Sequence, residues 1–585
     1  MRNTTEPSQH ILAGPLAPKV ERELERLAAE RVLPRLWEKD ATLWTARQEE
    51  QQTIRHRLGW LTIAPVMEAH VEEIQREADG IRRDGYTSAL LLGMGGSSLF
   101  PEVCRGVFGV APGWLDLAVL DSTDPTAVRS ATTRAPLERT LFLVSSKSGT
   151  TLETASLSDY FYEQVRRLKG SRAGEQFVAI TDAGTPLADT AASRAFRRVF
   201  VHGPTTGQDV GGRFSALTYF GLVPASLMGL DVRRLLASAK AMAAACGASV
   251  AVADNPAAQL GALFGQGGLS EKHLLTFVSP ARLSAFGALA EQIVAESTGK
   301  AGKGLVPIRQ ERLRDPHAYA ADRIFVEWQL ADDIDRELAQ AVTALAEAGH
   351  PVVRLRWRDL DALGAEIFRW SLATAIAGTV MQLNPFDEPD VQASKDRTKA
   401  LLAQAGRDGA LPEDAPVLTE HGLSLYGDRA ATRAHSMTEA LRDLLRHAGA
   451  GDYFAILSFL PRTPTLDTAV ERLRHVVADS TGTATMLGYG PRYLHSIGQL
   501  HKGGADRLRV LMLTAKDSVD VPVPGQPYSF GVLKHAQALG DFQALMDRHR
   551  RVLRVDLGAS PDTAMTQLLR LAGEAAASGR TTPTR

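Results

Sequence analysis

Two kinds of apolar pattern follow each other along the chain. From about Val20 to Arg83, leucine and valine recur at steps of three and four residues between charged residues, the pattern of helices with one buried face. Short runs that are continuously apolar come next, separated by stretches of helical character. Strands that are apolar on both faces are typical of parallel sheets covered by helices. The pattern therefore predicts a doubly wound α/β architecture after a helical segment.

The apolar runs form two series. The first comprises Ser88–Gly93, Leu115–Asp121, Thr140–Ser145, Phe177–Asp182 and Arg197–His202. The second follows helices rich in alanine and glycine and comprises His273–Ser279, Arg323–Leu330, Pro351–Trp357, Tyr453–Leu460 and Arg509–Thr514. We expect an N-terminal helical segment at 1–83, a first α/β domain at 84–236, a second with a C-terminal extension at 237–572, and a flexible tail at 573–585.

Composition narrows the class of protein. The 585 residues carry a formal net charge of −1, which favours neither nucleic acid nor an anionic membrane as the main partner. Cys104 and Cys246 lie far apart and outside any metal-ligand spacing, so neither a disulfide framework nor a structural zinc site is expected. Long apolar runs and a signal-like N-terminus are missing from the sequence. We expect a cytoplasmic protein.

A polar turn, Ser146–Thr151, separates the run Thr140–Ser145 from a helical pattern that begins at Leu152. The first N–H groups of a helix lack partners and carry partial positive charge, and the hydroxyls of the turn add donors. Those hydroxyls belong to Ser146, Ser148, Thr150 and Thr151. Such a turn can bind a phosphate monoester, although serine and threonine there can equally serve only to cap the helix.

A glycine-rich turn follows the first apolar run. Gly93, Gly95 and Gly96 let the backbone approach a ligand closely, and Ser97 begins the next helix. The G-x-G-G pattern lacks the third glycine of the dinucleotide fingerprint and the lysine of a Walker loop. A nucleotide site is therefore not expected.

Two further segments carry candidates for chemistry. Arg213 follows two glycines and could reach an oxyanion with its fork of donors, the alternative being a surface ion pair. Gln292 and Glu296 stand at i and i+4 of a helix that Gly299 ends, so they share a face. A glutamate aimed into a cleft could act as a base, although most glutamates are simply solvated.

The last candidates are a lysine and two histidines. Lys395 lies on a predicted helix after the segment that starts at Asn384, and His495 and His501 precede an apolar run. Histidine is the side chain best suited to proton transfer near neutral pH, although a single histidine more often has a structural role. The histidine within Met546–Arg551 fits a solvated helix end.

Five motifs together carry a resemblance. In chain order they are SSKSGTT, GGRFS, AESTGK, NPFD-PDV---SK and HSIGQLHKGG. They resemble the glucose-6-phosphate isomerase (phosphoglucose isomerase) family. The resemblance is closest to the isomerase part of bacterial transaldolase/isomerase fusion proteins, which also have a segment like LWEKDATLW at Leu36–Trp44. It extends from about Leu36 to Leu557, and we find no transaldolase domain in the sequence.

The resemblance implies two sugar isomerase (SIS) domains, each a three-layer α/β/α structure with a mainly parallel sheet, enclosing a cleft for a six-carbon sugar phosphate. It implies reversible isomerisation of glucose 6-phosphate and fructose 6-phosphate through a cis-enediolate, a step of glycolysis and gluconeogenesis. Family members need no metal or organic cofactor. They are commonly dimers, which suggests a homodimer here unless the long N-terminal helical segment replaces that contact.

Residue roles follow from the same resemblance. Ser146, Lys147, Ser148 and Thr151 match the turn that binds the phosphate, and Ser97 matches a serine that contacts the substrate.

The remaining matches concern proton transfer. Glu296 matches the base that moves a proton between two carbons, and Gln292 matches the glutamine one turn before it. Arg213 matches the arginine beside the developing enediolate. Lys395 matches the lysine that assists opening of the sugar ring together with a histidine, for which we take His501.

Two departures from the family pattern affect these roles. The family places its histidine between the glutamate and lysine motifs, whereas QLHKGG here follows Lys395. His501 fits if the chain order is rearranged around the same sheet, and His495 is the nearest alternative. Glu388 stands where the family usually has glutamine, and a carboxylate there could pair with Lys395 or repel the dianionic substrate.

Two other functions compete with this one. A related isomerase could act on mannose 6-phosphate as well, because a fold alone does not select among phosphosugar reactions. A non-catalytic sugar-phosphate sensor would keep the phosphate turn but could dispense with Glu296 and Arg213, and the presence of both argues against it.

Overall fold

A computed structural model describes residues 8–203, 209–408, 410–412, 414–427, 433–446 and 448–577. The chain divides into two compact units. The first unit comprises Met1–Asp121, Thr132–Pro316 and Arg323–Asp387, and the second comprises Ser122–Ala131, His317–Asp322 and Glu388–Arg585. In the described part of the chain, no helix is both long and apolar enough to cross a membrane.

Short buried runs form most of the strands. In chain order they are β1 (Ser8–Leu12), β2 (Ser88–Gly93), β3 (Asp116–Leu120), β4 (Thr140–Ser145), β5 (Phe177–Asp182), β6 (Arg198–His202), β7 (Leu274–Val278), β8 (Val306–Ile308), β9 (Arg323–Leu330), β10 (Val352–Trp357), β11 (Leu418–Glu420), β12 (Leu423–Gly427), β13 (Tyr453–Ser458), β14 (Ala484–Tyr489), β15 (Leu508–Thr514) and β16 (Arg551–Asp556).

Helices connect and cover these strands. They are α1 (Ala17–Ala29), α2 (Val32–Trp37), α3 (Gln48–Arg57), α4 (Ile63–Glu68), α5 (Val71–Arg83), α6 (Leu99–Phe108), α7 (Pro125–Thr133), α8 (Leu152–Lys169), α9 (Pro186–Ser193), α10 (Tyr219–Leu227), α11 (Val232–Ala245), α12 (Pro256–Gly268), α13 (Phe286–Thr298), α14 (Arg336–Glu347), α15 (Ala362–Met381), α16 (Gln392–Asp408), α17 (Met437–Arg446), α18 (Pro464–Thr481), α19 (Gly498–Gly503), α20 (Phe530–Asp547) and α21 (Pro561–Ala577).

Two sheets lie in the first unit. The first has the order β3-β2-β4-β5-β6, and all of its strands are parallel. The second has the order β1-β10-β9-β7-β8, in which only β1 runs antiparallel. The predicted α/β class with mainly parallel sheets is thereby confirmed, and the central strands β4 and β9 are buried along their whole length.

The second unit has a sheet of its own, in the order β11-β12-β16-β15-β13-β14. Strands β13 and β15 pair with each other and not with β7–β10, so the region predicted as one domain, 237–572, contributes strands to two separate sheets. An apolar run carries no signal of the sheet it will join. The predicted tail at 573–585 also starts too early, because α21 continues to Ala577 and buries Ala575; residues 578–585 lie outside the described residues.

The second unit is discontinuous in sequence. Its segment 122–131 is attached through Asp124, whose Oδ2 lies 2.9 Å from Nζ of the buried Lys534 on α20. Thr123 donates a hydrogen bond of 2.7 Å to Oε1 of Gln537 on the same helix. The segment 317–322 is attached through Asp322, which accepts a hydrogen bond from the Gly451 backbone at 3.1 Å. Three stretches of chain are therefore needed to complete this unit.

Candidate active site

The turn Ser146–Thr151 lies where β4 ends and α8 begins, as predicted. Thr151 is the N-cap of α8, yet its side chain makes no capping hydrogen bond to the helix; its Oγ1 instead accepts a bond of 3.1 Å from Ser146. Ser148 Oγ lies 3.0 Å from Thr150 Oγ1 at the exposed side of the turn. The hydroxyls are therefore organised around the helix start without capping it, which suits an anion better than the capping alternative does.

Lys147 is held between two carboxylates. Its Nζ lies 2.5 Å from Oδ2 of Asp182 and 2.5 Å from Oδ1 of Asp209. Burial lowers the pKa of Lys147, but the two carboxylates outweigh this effect and hold the pKa above its ordinary value. Lys147 is therefore a cation throughout the physiological range, and an incoming phosphate would compete with Asp209 for it.

The glycine turn and the arginine turn are in direct backbone contact. A Cβ atom on Gly96 would lie 2.0 Å from the carbonyl oxygen of Gly212, a separation that no real side chain tolerates. Ser97 is buried beside this contact, and Ser215 donates a hydrogen bond of 2.7 Å to the Gly212 oxygen. Glycine at residue 96 therefore brings Ser97 close to the turn that carries Arg213.

We expect Gly96→Ala to separate these two turns. Overpacking of this kind costs about 1–3 kcal/mol, and displacement of the Arg213 turn should also lower kcat/KM. Chemical denaturation and steady-state kinetics measure the two effects. Gly80→Ala is the matched control, because it lies within α5 and its added methyl group meets only an ordinary contact at 3.5 Å with Arg197. Equal stability and activity of the two variants would contradict the prediction.

Glu296 and Gln292 share one face of α13, as their spacing predicts. Gln292 Nε2 donates to Glu296 Oε2 at 3.4 Å, and Gly299 is the C-cap that ends the helix. Every residue of α13 is buried, but the Glu296 side chain keeps 12% of its surface exposed. Glu296 is thus a largely buried carboxylate with a remaining opening to solvent, and not a solvated surface glutamate.

Arg213 is buried and points at this carboxylate. Its Nη1 lies 3.4 Å from Glu296 Oε2, and its Nε donates to Ser297 Oγ at 2.8 Å. Its Nη2 donates to the backbone oxygens of Pro385 and Asp387 at 2.7 and 3.0 Å. The predicted alternative, a surface ion pair, is wrong, because the guanidinium is fixed in the interior by several bonds at once.

The sequence did not single out three residues of this arrangement, Ser297, Lys300 and Asp387. Ser297 anchors Arg213, and Lys300 donates to Asp387 at 2.5 Å through the backbone oxygen and 2.7 Å through Oδ1. All three belong to the quoted motifs AESTGK and NPFD, so the signal was present. The role of these residues could not be predicted, because the spacing of the motifs does not reveal that Arg213 joins the two motifs.

The candidates for ring opening lie in the second unit. Lys395 is exposed on the first turn of α16. His495 is partly exposed at the end of a short 3-10 helix, Arg492–His495. His501, by contrast, is fully buried in α19, and neither ring nitrogen has a hydrogen-bond partner among the described residues. A side chain that exchanges protons with a sugar must reach it, so the geometry favours His495 over His501.

His501 instead contributes to the pH dependence of stability. Burial, together with the charges of Lys502 and Arg550 and against that of Asp541, lowers its pKa to about 3. The unfolded chain takes up this proton below about pH 6.5 and the folded protein does not. The contribution of neutral His501 to the unfolding free energy is therefore fully present above about pH 6.5 and is lost as the pH falls towards 3.

We expect this single group to remove about 1.4 kcal/mol of unfolding free energy per pH unit within that window. Urea denaturation between pH 7.5 and 5 measures the slope. His501→Leu should flatten it, whereas replacement of the exposed His475 by glutamine should leave it unchanged. An unchanged slope in His501→Leu would contradict the prediction, because it would show that His501 takes up its proton over the same pH range in the folded and the unfolded protein.

Glu388 begins the last segment of the second unit, and Asp387 is the last residue of the first unit. Glu388 is partly buried and takes part in polar interactions of its own. Its effect on substrate affinity stays a prediction.

Known proteins are similar to this chain in sequence. Residues 65–303 match the family model for phosphoglucose isomerase. Glucose-6-phosphate isomerase of Synechococcus sp. (strain CC9605) is 28% identical over 426 residues, covering 63% of this chain and 78% of that protein. The enzyme of the same name from Parabacteroides distasonis is 27% identical over 404 residues, covering 60% of this chain and 88% of that protein.

Two solved structures have a similar fold. A hypothetical protein of Thermus thermophilus superimposes with a TM-score of 0.58 at 22% identity, covering 68% of this chain and all of that one. A glucose-6-phosphate isomerase of Chlamydia trachomatis gives a TM-score of 0.54 at 20% identity, covering 67% of this chain and 87% of that one.

The similarities in sequence indicate an aldose–ketose isomerase. More particularly, residues 65–303 are similar to the phosphoglucose isomerase family, and the two relatives named glucose-6-phosphate isomerase are 28% and 27% identical to this chain. The family match ends at residue 303, before Lys395 and both histidines. The relatives bear the name of the isomerase alone, so the resemblance to fusion proteins stays a prediction.

Proposed function

We propose that this protein interconverts glucose 6-phosphate and fructose 6-phosphate through a cis-enediolate. The observation that carries the proposal is the approach of the buried Arg213 guanidinium to the Glu296 carboxylate, 3.4 Å between Nη1 and Oε2. A carboxylate can remove a weakly acidic carbon proton only where the growing oxyanion is stabilised, and an adjacent fixed guanidinium supplies that stabilisation.

Each step has a proposed residue. Glu296 takes the proton from C2 of the open-chain aldose while negative charge grows on O1, and Arg213 stabilises that charge. The same carboxyl group then returns the proton to C1. O1 takes up the proton that O2 gives up, and the C2–O2 bond becomes the ketose carbonyl. Gln292 orients the carboxylate through its 3.4 Å hydrogen bond.

Substrate is held at its phosphate end in this proposal. Ser146, Lys147, Ser148 and Thr151 surround the start of α8, where backbone N–H groups carry partial positive charge. Ser97 contacts the substrate from the glycine turn. Binding energy from the phosphate then positions the reacting carbons, which is how a non-reacting group raises kcat.

Ring opening is assigned to the second unit. We propose Lys395 and His495 for the transfer of protons between the ring oxygen and the C1 hydroxyl, with His495 replacing His501 because His501 is buried.

We also propose a cytoplasmic homodimer. Light scattering would exclude the dimer if the mass stayed at 63.1 kDa at all concentrations.

The function is tested by following fructose 6-phosphate with the purified protein in D₂O by NMR. A single base that exchanges its proton with solvent gives glucose 6-phosphate labelled with deuterium at C2. Mannose 6-phosphate is monitored in the same spectra. Label at C2 of glucose 6-phosphate supports the proposal, and a comparable yield of labelled mannose 6-phosphate would identify the broader isomerase.

Two outcomes would contradict the proposal. Complete absence of deuterium after many rounds of interconversion would indicate transfer of hydride between the carbons instead of an enediolate, because a proton held on a carboxyl group exchanges with solvent in some of those rounds. Binding of the sugar phosphate without any turnover would identify a sensor.

A further inference from the structure

Asp541 is a buried carboxylate on α20 that joins three segments of the second unit. Its Oδ2 accepts a hydrogen bond of 2.6 Å from the Tyr493 hydroxyl. Its Oδ1 accepts bonds of 2.7 Å from Lys502 Nζ and 3.0 Å from Ser394 Oγ. Asp541 has no exposed surface, and the Lys502 side chain is 1% exposed. The three donors come from α16, α19 and the short helix that precedes α19.

A charge in this position needs its partners. Removal of a carboxylate from water costs several kcal/mol, which an ion pair offsets only with good geometry and further hydrogen bonds. Burial raises the pKa of Asp541, but Lys502 and the hydroxyl of Tyr493 outweigh it, and the pKa lies below its ordinary value. The carboxylate is therefore ionised near neutral pH and keeps its donors in fixed directions.

Two of the donors stand beside the proposed ring-opening residues. Ser394 directly precedes Lys395 on α16, and Tyr493 lies two residues before His495 within the 3-10 helix Arg492–His495. A contact one or two residues away fixes the backbone from which the functional side chain projects. The carboxylate of Asp541 thus binds both the segment that carries Lys395 and the segment that carries His495.

We propose that Asp541 is a positioning residue for ring opening, which it serves by fixing Lys395 through Ser394 and His495 through Tyr493. The inference rests on the proposed function and adds to it a buried group that does not touch the substrate. It also assigns a role to the HSIGQLHKGG motif beyond its histidines, because Lys502 of that motif compensates the Asp541 charge.

The test separates ring opening from proton transfer between carbons. NMR exchange spectroscopy measures interconversion of the α and β anomers of glucose 6-phosphate, which requires opening of the ring but no isomerisation. Tyr493→Phe and Ser394→Ala each remove one hydroxyl and keep the charge pair with Lys502. We expect each to slow enzyme-catalysed anomer exchange about tenfold, with KM within twofold of the wild-type value and the unfolding free energy little changed.

Tyr453→Phe is the matched control. Tyr453 is buried in the same unit, and its hydroxyl has no hydrogen-bond partner among the described residues. Loss of that hydroxyl should leave anomer exchange unchanged. Asp541→Asn should show a larger loss than either single-hydroxyl variant, but it also leaves Lys502 uncompensated and can reduce folding, so the hydroxyl variants decide the question.

The outcomes are distinct. Wild-type anomer exchange in Tyr493→Phe and Ser394→Ala would overturn the inference. So would a loss of exchange that accompanies an equal loss in Tyr453→Phe or a large fall in stability, because that result indicates a structural role. A wild-type protein that catalyses neither anomer exchange nor isomerisation would overturn the proposed function itself.

Discussion

Replacement of Glu296 by glutamine is expected to lower kcat by about 10²–10⁴-fold, the contribution typical of a general base. The amide has nearly the same size and can still receive the hydrogen bond from Arg213, but it cannot accept a proton from carbon. KM should change little, because the phosphate turn is untouched. A coupled assay of fructose 6-phosphate conversion measures kcat, and calorimetry with the sugar phosphate measures binding.

Glu291→Gln provides the matched control for this variant. Glu291 lies on the same helix, is also buried, and pairs with Arg309 at 2.8 Å. Its replacement removes a buried carboxylate of α13 that has no proposed catalytic role. More than a tenth of wild-type activity in Glu296→Gln, or an equal loss in Glu291→Gln, would remove Glu296 as the base.

Arg213→Lys is expected to lower kcat/KM by about 10²–10³-fold, as loss of an oxyanion donor does. A lysine has no planar fork and cannot reach Ser297, Glu296 and the Pro385 oxygen together. Buried oxygens without donors cost about 1–3 kcal/mol each, so the unfolding free energy should fall as well. Steady-state kinetics and denaturation measure both quantities.

Arg57→Lys is the control for Arg213→Lys. It distinguishes an arginine that only supports the loop containing Pro385 and Asp387 from one that also acts on the substrate. Arg57 also donates to the loop that contains Pro385 and Asp387, at 2.5 Å to the Phe386 oxygen. We expect this control to lose no more than a few-fold in kcat/KM. Equal losses in the two variants would show that Arg213 acts only by holding the loop.

Strands inside the parallel sheets were predictable because burial on both faces makes them continuously apolar. The bounds of Ser88–Gly93, Phe177–Asp182 and Arg323–Leu330 agree to the residue. Strand β1 was missed, since its burial alternates and its residues SQH are polar. The position of β1 in the sheet could not be predicted either, because this strand pairs with Val352–Trp357, which lies more than half the chain away in sequence.

The candidate site was predictable where local spacing fixes geometry. Gln292 and Glu296 needed only helical periodicity to be placed together. The buried state of His501 could not be read in the same way, because it depends on how the short helix α19 packs within its unit. The same holds for Arg213, whose partners Ser297 and Pro385 are remote in sequence.

The discontinuity of the second unit has a consequence for how the protein is made and divided. On the ribosome, residues 122–131 and 317–322 emerge long before residues 388–585 with which they form a unit. A gene fragment that starts at residue 388 would encode Lys534 without Asp124, leaving a buried ammonium short of one of its two carboxylates. The C-terminal part of the chain is thus not a module that gene duplication or fusion could transfer intact, although its uninterrupted sequence suggests one.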